Sequence, residues 1–334
     1  MKLVTFVAEG QERHGALVEI QGSSFVVDFP AAFAWREKGA DPRAIAERFG
    51  GDMLGFIQRQ DEAMPVAREL VALAAEGKLP QELLRPLASV RLLAPVPRPP
   101  SMRDGYAFRQ HVETARRNRG LEMIPEFDMF PVFYFTNHHG VVGPGDVEVL
   151  ERHLERLDFE LEAAIVIGKK GKNLRAGEAD AHVFGLTIMN DWSARALQME
   201  EMKLSLGPAK GKDFATSLGP YLVTLDELAD KTTRTPNGNV YDLVMKAFVN
   251  GVQVSQGNLK DMTWTFAQII ERASYGVTLH PGDVIGSGTC GTGCFLELNG
   301  SGITKNQWLK EGDEVVLEID GLGRLENRIV RGTY

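Results

Sequence analysis

The sequence has few of the features that mark secreted, membrane-bound or nucleic-acid-binding proteins. No apolar run approaches the ~18 residues of a membrane-spanning helix, and the first residues lack the apolar core of an export signal. The net charge is −8 and there is no basic arm or basic helix, which argues against a nucleic-acid partner. We therefore expect a cytoplasmic protein with no membrane partner and no nucleic-acid partner.

Cysteine is also scarce. The chain has two cysteines, Cys290 and Cys294, which lie four apart among glycines. They could form a disulfide, provide half of a metal site, or stay reduced without a function. Because no other cysteine and no export signal accompanies them, we favour reduced side chains.

The prolines indicate how the chain is divided. A length of 334 residues suits one large domain or two ordinary ones. Four prolines (Pro95, Pro97, Pro99 and Pro100) fall within six residues, a density that neither a helix nor a central strand tolerates. We therefore predict a small N-terminal domain at 1–92, a proline-rich linker at 93–100 and a main domain at 101–334.

The pattern of apolar residues predicts a β-rich α+β fold. Three short runs near the start, Leu3–Val7, Ala16–Ile20 and Ser24–Phe29, are typical of a β-meander, and Glu62–Ala75 is typical of a helix. In the main domain, 104–119 is predicted to be helical. Seven segments there are predicted as strands: 159–168, 184–190, 220–224, 241–256, 283–287, 294–299 and 314–320.

The order of these segments favours a sandwich, roll or distorted barrel. Asn250-Gly251 stands between two apolar runs and is a strong signal for a two-residue hairpin turn. No repeating strand–helix–strand unit is present, so a doubly wound sheet is disfavoured.

Two carboxylates on one predicted strand are the most informative feature. Glu160 and Glu162 lie two residues apart, so on a strand they project from the same face, and a continuous apolar run follows them. Neighbouring carboxylates in a partly buried place need a positive partner or a shared proton. A divalent cation bound through oxygen meets that need. The alternative is an edge strand with two solvated carboxylates. The pattern alone favours neither the metal site nor the edge strand.

Three further segments carry polar residues with similar alternatives. Asp191 ends a predicted strand and could either cap the following helix or join a site. Asp104 and His111 fall on helical spacing, which is equally consistent with a capped helix and an incidental histidine. Lys212 lies in a Gly/Pro loop, where a lysine is usually solvated but can also reach a substrate oxygen.

One apparent nucleotide motif lacks the context that nucleotide binding requires. Residues 286–291 match G-x-G-x-x-G, but that fingerprint needs a following helix whose N-terminus meets a pyrophosphate. Because 294–299 is predicted as a strand, we expect no nucleotide cofactor. The glycines more naturally let the backbone approach a ligand or metal.

Taken together, the segments resemble the fumarylacetoacetate hydrolase family over residues 90–334, and its fumarylacetoacetate-cleaving members most of all. The matching pieces occur in the order of that family: Asp104-x-Tyr106-x-x-Arg109-Gln110-His111, Asp158-Phe159-Glu160-Leu161-Glu162, Asn190-Asp191-Trp192-Ser193-Ala194-Arg195-x-x-Gln198, Gly211-Lys212-x-Phe214-x-Thr216, 279–289 and Leu296-Glu297-Leu298. The resemblance implies the family's mixed β-sandwich/roll for the main domain, with a small α+β domain before it.

The resemblance also implies roles for individual residues. The implied metal ligands are Asp104, Glu160, Glu162 and Asp191. The implied catalytic residues are His111, Glu297, Lys212, Arg195 and Gln198. The implied substrate-binding residues are Tyr106, Arg119, Tyr134 and Thr289. Arg116 and Arg117 are alternatives to Arg119, and Met202 stands where the family has a tyrosine that contacts substrate, which leaves the acyl group of the substrate open.

The activity implied is metal-dependent hydrolysis of a C–C bond in a 1,3-diketone acid such as fumarylacetoacetate, the last step of tyrosine breakdown. In it, His111 activates water, Glu297 holds the tautomer of His111, and Arg195, Gln198 and Lys212 face the oxyanion. Mg²⁺ is the expected metal, with Ca²⁺ or Mn²⁺ as alternatives, and a homodimer is implied. The alternative activities are those of relatives: acylpyruvate or diketo-deoxy-sugar hydrolysis, oxaloacetate decarboxylation, and isomerisation or decarboxylation of ring-cleavage products.

Overall fold

The computed structural model describes residues 1–333, and its N-terminal part combines a β-meander with a group of helices. Its strands are β1 (Lys2–Ala8), β2 (Gln11–Ile20), β3 (Ser23–Asp28), β4 (Leu84–Pro86) and β5 (Arg91–Leu92). Its helices are α1 (Phe29–Arg36), α2 (Pro42–Phe49), α3 (Met53–Gln58) and α4 (Gln60–Ala75). The predicted meander and the predicted helix at Glu62–Ala75 are both confirmed.

The rest of the chain is dominated by strands. They are β6 (Met102–Gly105), β7 (Phe133–Phe135), β8 (Val141–Val142), β9 (Gly145–Val149), β10 (Leu157–Asp158), β11 (Leu161–Ile167), β12 (Gly171–Lys172), β13 (Val183–Asp191), β14 (Ser193–Ala194), β15 (Thr216–Thr224), β16 (Thr232–Thr235), β17 (Gly238–Tyr241), β18 (Val244–Val249), β19 (Val252–Asn258), β20 (Thr278–Leu279), β21 (Val284–Gly286), β22 (Glu314–Ile319) and β23 (Gly323–Arg331). The helices are α5 (Arg109–Arg117), α6 (Glu151–Leu154), α7 (Ala176–Ala179), α8 (Arg195–Met202), α9 (Phe266–Ser274) and α10 (Phe295–Gly300).

One large sheet runs through both parts of the chain. Within residues 1–333 it has twelve strands, in the order β4-β3-β2-β1-β15-β13-β11-β21-β6-β7, with β5 beside β1 and β8 beside β15. The N-terminal strands join the rest of the sheet through antiparallel pairing of β1 with β15. In this pairing Lys2 lies opposite Val223, and Leu3 lies opposite Leu222. Because the sheet crosses the predicted boundary at 93–100, the division into two domains stays a prediction.

A second sheet packs against the large one and encloses the main core. Its order is β19-β18-β22-β23-β9. On β11 the odd-numbered residues, such as Ile165, belong to this core. The even-numbered residues, such as Ala164 and Val166, belong to a separate core formed with the N-terminal helices. The two-residue alternation of β11 therefore assigns Glu160 and Glu162 to the second face, at the end where the strand begins.

Several local predictions agree with the structure. The β-rich α+β fold class is confirmed, and the hairpin at Asn250-Gly251 joins β18 to β19, with Val249 opposite Val252. Asn250 and Gly251 have φ values of 50° and 78°, which are the left-handed conformations that this turn requires.

Two secondary-structure predictions at the site are wrong. Asp104 lies on strand β6, and the helix begins only at Arg109, because Asp104 pairs with Gly286 on one side and Tyr134 on the other. Residues 295–300 form helix α10 rather than a strand. The apolar pattern of 294–299 suited a buried strand, but the first N–H groups of the helix are satisfied by Asp158 from another segment.

The structure also bears on membrane association. Within residues 1–333, the helices are all too short or too polar to cross a bilayer.

Candidate active site

Three carboxylates predicted as metal ligands meet at one point. Asp104, Glu160 and Glu162 are buried, and each offers an oxygen within 4.8 Å of the others. Glu160 and Glu162 project together from the start of β11, as the two-residue spacing predicts. Asp191, the fourth predicted ligand, ends β13 beside them and is fully buried.

Strand order explains how distant segments reach this point. β11 lies between β13 and β21, and β6 follows β21, so the three carboxylate-bearing strands are near neighbours in one sheet. The register places Leu161 opposite Asn190 and Gly286 opposite Asp104. Gly286 provides the room: a Cβ atom there would lie 2.4 Å from Asp104 Oδ1.

The acidic cluster is electrostatically strained. Burial, reinforced by the charge of Asp191, raises the pKa of Asp104 to about 8. Burial and the nearby Asp104 also raise the pKa of Glu162 well above its usual range. Burial raises the pKa of Asp191. These carboxyl groups resist ionisation unless a positive charge joins them.

Two buried carboxylate oxygens of the cluster are suited to bind a divalent cation. Within residues 1–333, Glu162 Oε2 and Asp191 Oδ1 are buried without a hydrogen-bond partner. Buried acceptors of this kind are costly unless something binds them. All of the donors are carboxylate oxygens, which suit Mg²⁺, Ca²⁺ and Mn²⁺ better than Zn²⁺ or Cu²⁺.

Lys212 supplies a positive charge to the same cluster. Its Nζ donates to Glu160 Oε2 at 2.5 Å and to Asp191 Oδ2 at 2.7 Å. Burial opposes the charge of Lys212, but Asp191 and Glu160 outweigh it and raise the pKa of the lysine. The lysine is therefore buried and ionised in the site, not solvated in its Gly/Pro loop.

Arg195 reaches the cluster from the start of α8. It donates from Nε to Asp158 Oδ2 at 2.9 Å and from Nη2 to Glu160 Oε1 at 2.8 Å. Gln198, one turn later, accepts from Arg195 Nη1 at 3.1 Å. Burial alone raises the pKa of Glu160, but Lys212 and Arg195 outweigh it and lower that pKa to about 2. Arg195 and Lys212 thus keep Glu160 ionised.

A histidine–carboxylate pair lies beside the acidic cluster. His111 on α5 and Glu297 on α10 are both buried, and His111 Nδ1 is 2.7 Å from Glu297 Oε2. An ionised carboxylate only accepts, so Nδ1 carries the proton and Nε2 is left as the basic nitrogen. Asp158 links this pair to the carboxylates, because it accepts from the N–H of Leu296 beside Glu297 and from Arg195, which also donates to Glu160.

The predicted substrate-binding residues contact different parts of the site. The hydroxyl of Tyr134 donates to Asp191 Oδ2, and Thr289 Oγ1 donates to Glu162 Oε1 at 3.2 Å. The Tyr106 ring meets the His111 ring edge-on at 5.8 Å.

The three candidate arginines differ in their relation to the site. Burial raises the pKa of Tyr106, and the opposing effect of Arg119 puts that arginine within electrostatic reach of the tyrosine. Arg119 is exposed two residues beyond the end of α5, and its Nε donates to Ala115 O. Arg116 donates to the carbonyl of Glu122, and Arg117 donates to Thr114 Oγ1.

A cavity lies next to two predicted site residues, Tyr134 and Lys212. It has a volume of about 230 Å³ and is lined by residues 134–137 and by Pro208, Ala209, Lys212 and Asp213. A larger cleft of about 480 Å³ lies between β5 and β23, and the predicted site residues do not line it. The smaller cavity therefore adjoins the site through Tyr134 and Lys212.

Two polar residues in the site were not predicted to have a role. Asp158 is fully buried and accepts from Arg195 and from the N–H groups of Phe295 and Leu296. Asn190 Oδ1 accepts the N–H of Glu160 at 2.9 Å. Asn190 directly precedes Asp191, and Asp158 lies two residues before Glu160. Their place in the two motifs that resemble the family is the signal that could have revealed them.

Known proteins resemble the chain over most of its length. The mitochondrial oxaloacetate tautomerase of Rattus norvegicus is 36% identical over 282 residues, which covers 83% of this chain and 79% of that protein. An oxaloacetate tautomerase of Bacillus subtilis is 32% identical over 292 residues, covering 85% and 88%. The fumarylacetoacetase of Oryza sativa is 35% identical over 199 residues, but this covers only 49% of this chain and 46% of that protein.

Solved structures share the whole fold. A fumarylacetoacetate hydrolase from Exiguobacterium antarcticum superposes with a TM-score of 0.67 at 27% identity, covering 99% of this chain and 100% of that one. A maleylpyruvate hydrolase from Sphingobium, solved with manganese(II) and pyruvate, has a TM-score of 0.68 at 23% identity and covers both chains completely. At that identity the second likeness concerns the fold alone.

The sequence also matches a family description directly. Residues 101–330, which contain every predicted site residue, match "Fumarylacetoacetate (FAA) hydrolase C-terminal". The chain belongs to the fumarylacetoacetate hydrolase family.

Proposed function

We propose that this protein is a divalent-cation-dependent enzyme that interconverts the keto and enol forms of oxaloacetate or of a closely similar 2-oxo acid. The relatives that cover more than four fifths of the chain, from Rattus norvegicus and Bacillus subtilis, are both named oxaloacetate tautomerases. The fumarylacetoacetase relative covers 49% of the chain. The coverage of these relatives favours the alternative activities over cleavage of fumarylacetoacetate. The sequence indicated oxaloacetate as a substrate only for decarboxylation, and it did not indicate tautomerisation.

The observation that carries the proposal is the placement of a buried histidine–glutamate pair beside a buried acidic cluster. Asp104, Glu160, Glu162 and Asp191 would hold the cation, and Mg²⁺, Ca²⁺ and Mn²⁺ are the ions that fit an all-oxygen set. When bound, the cation supplies a positive charge that favours the enolate form of a 2-oxo acid.

The residues of the chain then account for the proton movements. Oxaloacetate in its keto form loses a proton from the carbon beside the ketone to His111. The enolate oxygen then takes a proton from solvent, and His111 returns its own proton to solvent. His111 Nε2 is the base that removes the carbon-bound proton, because Glu297 holds the proton on Nδ1. Lys212 is buried and ionised next to the cluster, where it stabilises negative charge that develops on the substrate oxygen.

Arg195 has a supporting role in this scheme. Its hydrogen bonds go to Asp158, Glu160 and Gln198, so it positions a predicted cation ligand and neutralises part of its charge. The predicted contact of Arg195 and Gln198 with an oxyanion stays a prediction.

Hydrolysis of a C–C bond in a 1,3-diketone acid is the second candidate. The same His111–Glu297 pair can activate a water molecule, and hydrolysis passes through the same kind of enolate as its leaving group. Fumarylacetoacetate and acylpyruvates are the substrates that this candidate predicts.

Substrate turnover separates the two candidates. Purified protein with Mg²⁺ or Mn²⁺ is mixed with enol oxaloacetate, and loss of the ultraviolet absorbance of the enol is followed. The same preparation is tested with fumarylacetoacetate and an acylpyruvate, and the two acids that C–C cleavage would release are quantified. We expect accelerated loss of the oxaloacetate enol without cleavage products; cleavage of a diketone with no effect on oxaloacetate would replace the first candidate by the second.

A histidine variant tests the assigned base. We expect His111→Ala to lower kcat by about 10²-fold or more, the usual contribution of a general base. His280→Ala is the matched control, because His280 is exposed before β21 and lies outside the site. Full activity in His111→Ala would refute the assignment of the base, and full activity after removal of divalent cations by EDTA would refute the metal requirement.

The bound metal, the oligomeric state and the cellular location are further predictions. We expect Mg²⁺, a homodimer and a cytoplasmic location. Metal analysis of the purified protein, sedimentation and cell fractionation test them in turn.

A further inference from the structure

A second group of metal-ligating side chains lies within the site, and its chemistry differs from that of the carboxylate cluster. His111, Cys294 and Glu297 each offer a ligand atom, and these atoms lie within 4.8 Å of one another. All three side chains are buried, with Cys294 completely so. Cys294 directly precedes α10, the helix that carries Glu297, so the backbone itself holds two of the three groups together.

The donor set determines which metal would bind. A thiolate, an imidazole and a carboxylate are the ligands of many zinc sites, whereas Mg²⁺ and Ca²⁺ prefer oxygen alone. Asp104, Glu160 and Glu162 have only oxygen donors. The two groups therefore select different ions although they are adjacent.

We infer that His111, Cys294 and Glu297 form an inhibitory site for Zn²⁺. Binding converts the Cys294 thiol to a thiolate, and its proton is released to solvent. The hydrogen bond between His111 Nδ1 and Glu297 Oε2, now 2.7 Å long, is broken because both groups turn to the metal. Since His111 then no longer serves as a base, the enzyme stops. The inhibition rests on the proposed role of His111, but the binding of the metal does not.

Spectroscopy tests the binding independently of activity. Co²⁺ is added to the intact protein already saturated with Mg²⁺, and the near-ultraviolet band of a thiolate–cobalt bond is sought. We expect the band in the wild-type protein and in Cys290→Ser, and its absence in Cys294→Ser. Cys290 is the matched control because it is equally buried but packs against Gly257. Absence of the band from the wild-type protein, or its loss in Cys290→Ser alone, would overturn the proposal.

Inhibition by Zn²⁺ tests the consequence. Cys294→Ser is expected to keep the activity measured without Zn²⁺ and to raise the half-inhibiting Zn²⁺ concentration by more than the roughly tenfold that loss of even an outer partner costs a metal site. Cys294→Ala provides a second variant if the serine form does not fold. Added Mg²⁺ should not relieve the inhibition. Relief by Mg²⁺, with equal inhibition of wild type and both Cys294 variants, would place Zn²⁺ in the carboxylate cluster and refute the inference.

A cobalt–thiolate band without inhibition of the enzyme by Zn²⁺ would leave the metal site in place. It would refute the role of His111 as the base. Failure of the proposed function is thereby distinguished from failure of the metal site.

Discussion

Asp158 connects the two halves of the site through its two carboxylate oxygens. Oδ1 accepts the N–H of Phe295 at 2.7 Å, and Oδ2 accepts the N–H of Leu296 at 2.9 Å and Nε of Arg195 at 2.9 Å. Leu296 directly precedes Glu297, the partner of His111. Asp158 therefore positions both the histidine pair and the arginine that holds Glu160, although it is not itself a predicted ligand or base.

An asparagine at this position tests that role. Asp158→Asn turns one acceptor into a donor that faces a donor, so we expect a loss of about 1–3 kcal/mol in the free energy of unfolding. We also expect kcat to fall and its pH profile to shift, because Glu297 no longer holds His111 in place. Denaturant unfolding and pH–rate measurements check these effects.

A surface aspartate provides the control. Asp242 is exposed and accepts from Asn258 and Lys260. Asp242→Asn is expected to change stability by no more than about 0.5 kcal/mol and to leave the pH profile unaltered. An unshifted pH profile in Asp158→Asn, with the stability loss present, would reduce Asp158 to a purely structural residue.

At the scale of residues, spacing predicted that Glu160 and Glu162 share a face, whereas the resemblance to a family supplied Asp104 and Asp191 as further ligands. Glu160 and Glu162 lie on one face of a strand because the strand repeat is two residues, and this follows from sequence alone. That Lys212 donates to both Glu160 and Asp191 depends on how a distant loop folds over the sheet. The resemblance to a family indicated Lys212, whereas its position in a Gly/Pro loop favoured a solvated side chain.

At the scale of elements, the secondary-structure predictions are wrong where tertiary contacts override the local pattern of apolar residues. Residues 104–119 show helical spacing, yet Asp104 belongs to a strand because β21 and β7 pair with it on both sides. Helix α10 forms over an apolar run because Asp158 caps it. The expectation of no nucleotide cofactor rested on a strand at 294–299, and that segment is a helix, so the expectation stays a prediction. The glycines at 286, 288 and 291 lie against Asp104, Gly105 and Gln110.

The contact between β21 and β6 gives a prediction for a single glycine. A Cβ atom at Gly286 would lie 2.4 Å from Asp104 Oδ1 and 2.9 Å from Met189 Sδ. Because both neighbours are buried in a sheet, Gly286→Ala should displace Asp104, and overpacking of this kind typically costs about 1–3 kcal/mol. We expect weaker Mn²⁺ binding together with lower stability, measured by titration calorimetry and thermal unfolding.

A second glycine separates crowding from the general effect of adding a methyl group. Gly177 lies in helix α7 with open space around the position of a Cβ atom. Gly177→Ala is expected to leave Mn²⁺ affinity unchanged and to raise stability by roughly 0.5–1 kcal/mol, because alanine restricts the unfolded chain. Unchanged Mn²⁺ affinity in Gly286→Ala would show that Asp104 is not a ligand.

At the scale of the whole molecule, the N-terminal region is bound to the rest by more than a linker. β1 extends the large sheet through β15, and the side chains of α4 share a core with Ala164 and Val166 of β11. Those two residues continue the face that carries Glu160 and Glu162. The N-terminal helices therefore cover the end of β11 that lies away from Glu160 and Glu162. The proline-rich segment at 93–100 did not suggest this arrangement.

His14 makes this N-terminal core sensitive to acid. Its ring lies 6.0 Å from that of Phe29 and 5.7 Å from that of Phe56, and within residues 1–333 neither ring nitrogen has a hydrogen-bond partner. Burial lowers the pKa of His14 from 6.5 to about 4, despite the opposing charges of Asp52 and Asp28. The histidine is therefore neutral in the folded protein at pH values where the unfolded chain already binds a proton.

The lowered pKa predicts a specific loss of stability as the pH falls. Above pH 6.5 His14 is neutral in both states and contributes no pH dependence. Between 6.5 and about 4 the unfolded state binds a proton that the folded state refuses, which amounts to about 3 kcal/mol by pH 4. His14→Leu, which keeps an apolar side chain of similar size, should therefore lose about 3 kcal/mol less than the wild type over this interval. Urea unfolding at several pH values measures the difference, and His280→Leu, at an exposed position, should follow the wild type. Parallel curves for wild type and His14→Leu would mean that His14 is already protonated in the fold, or that the N-terminal core opens before it titrates.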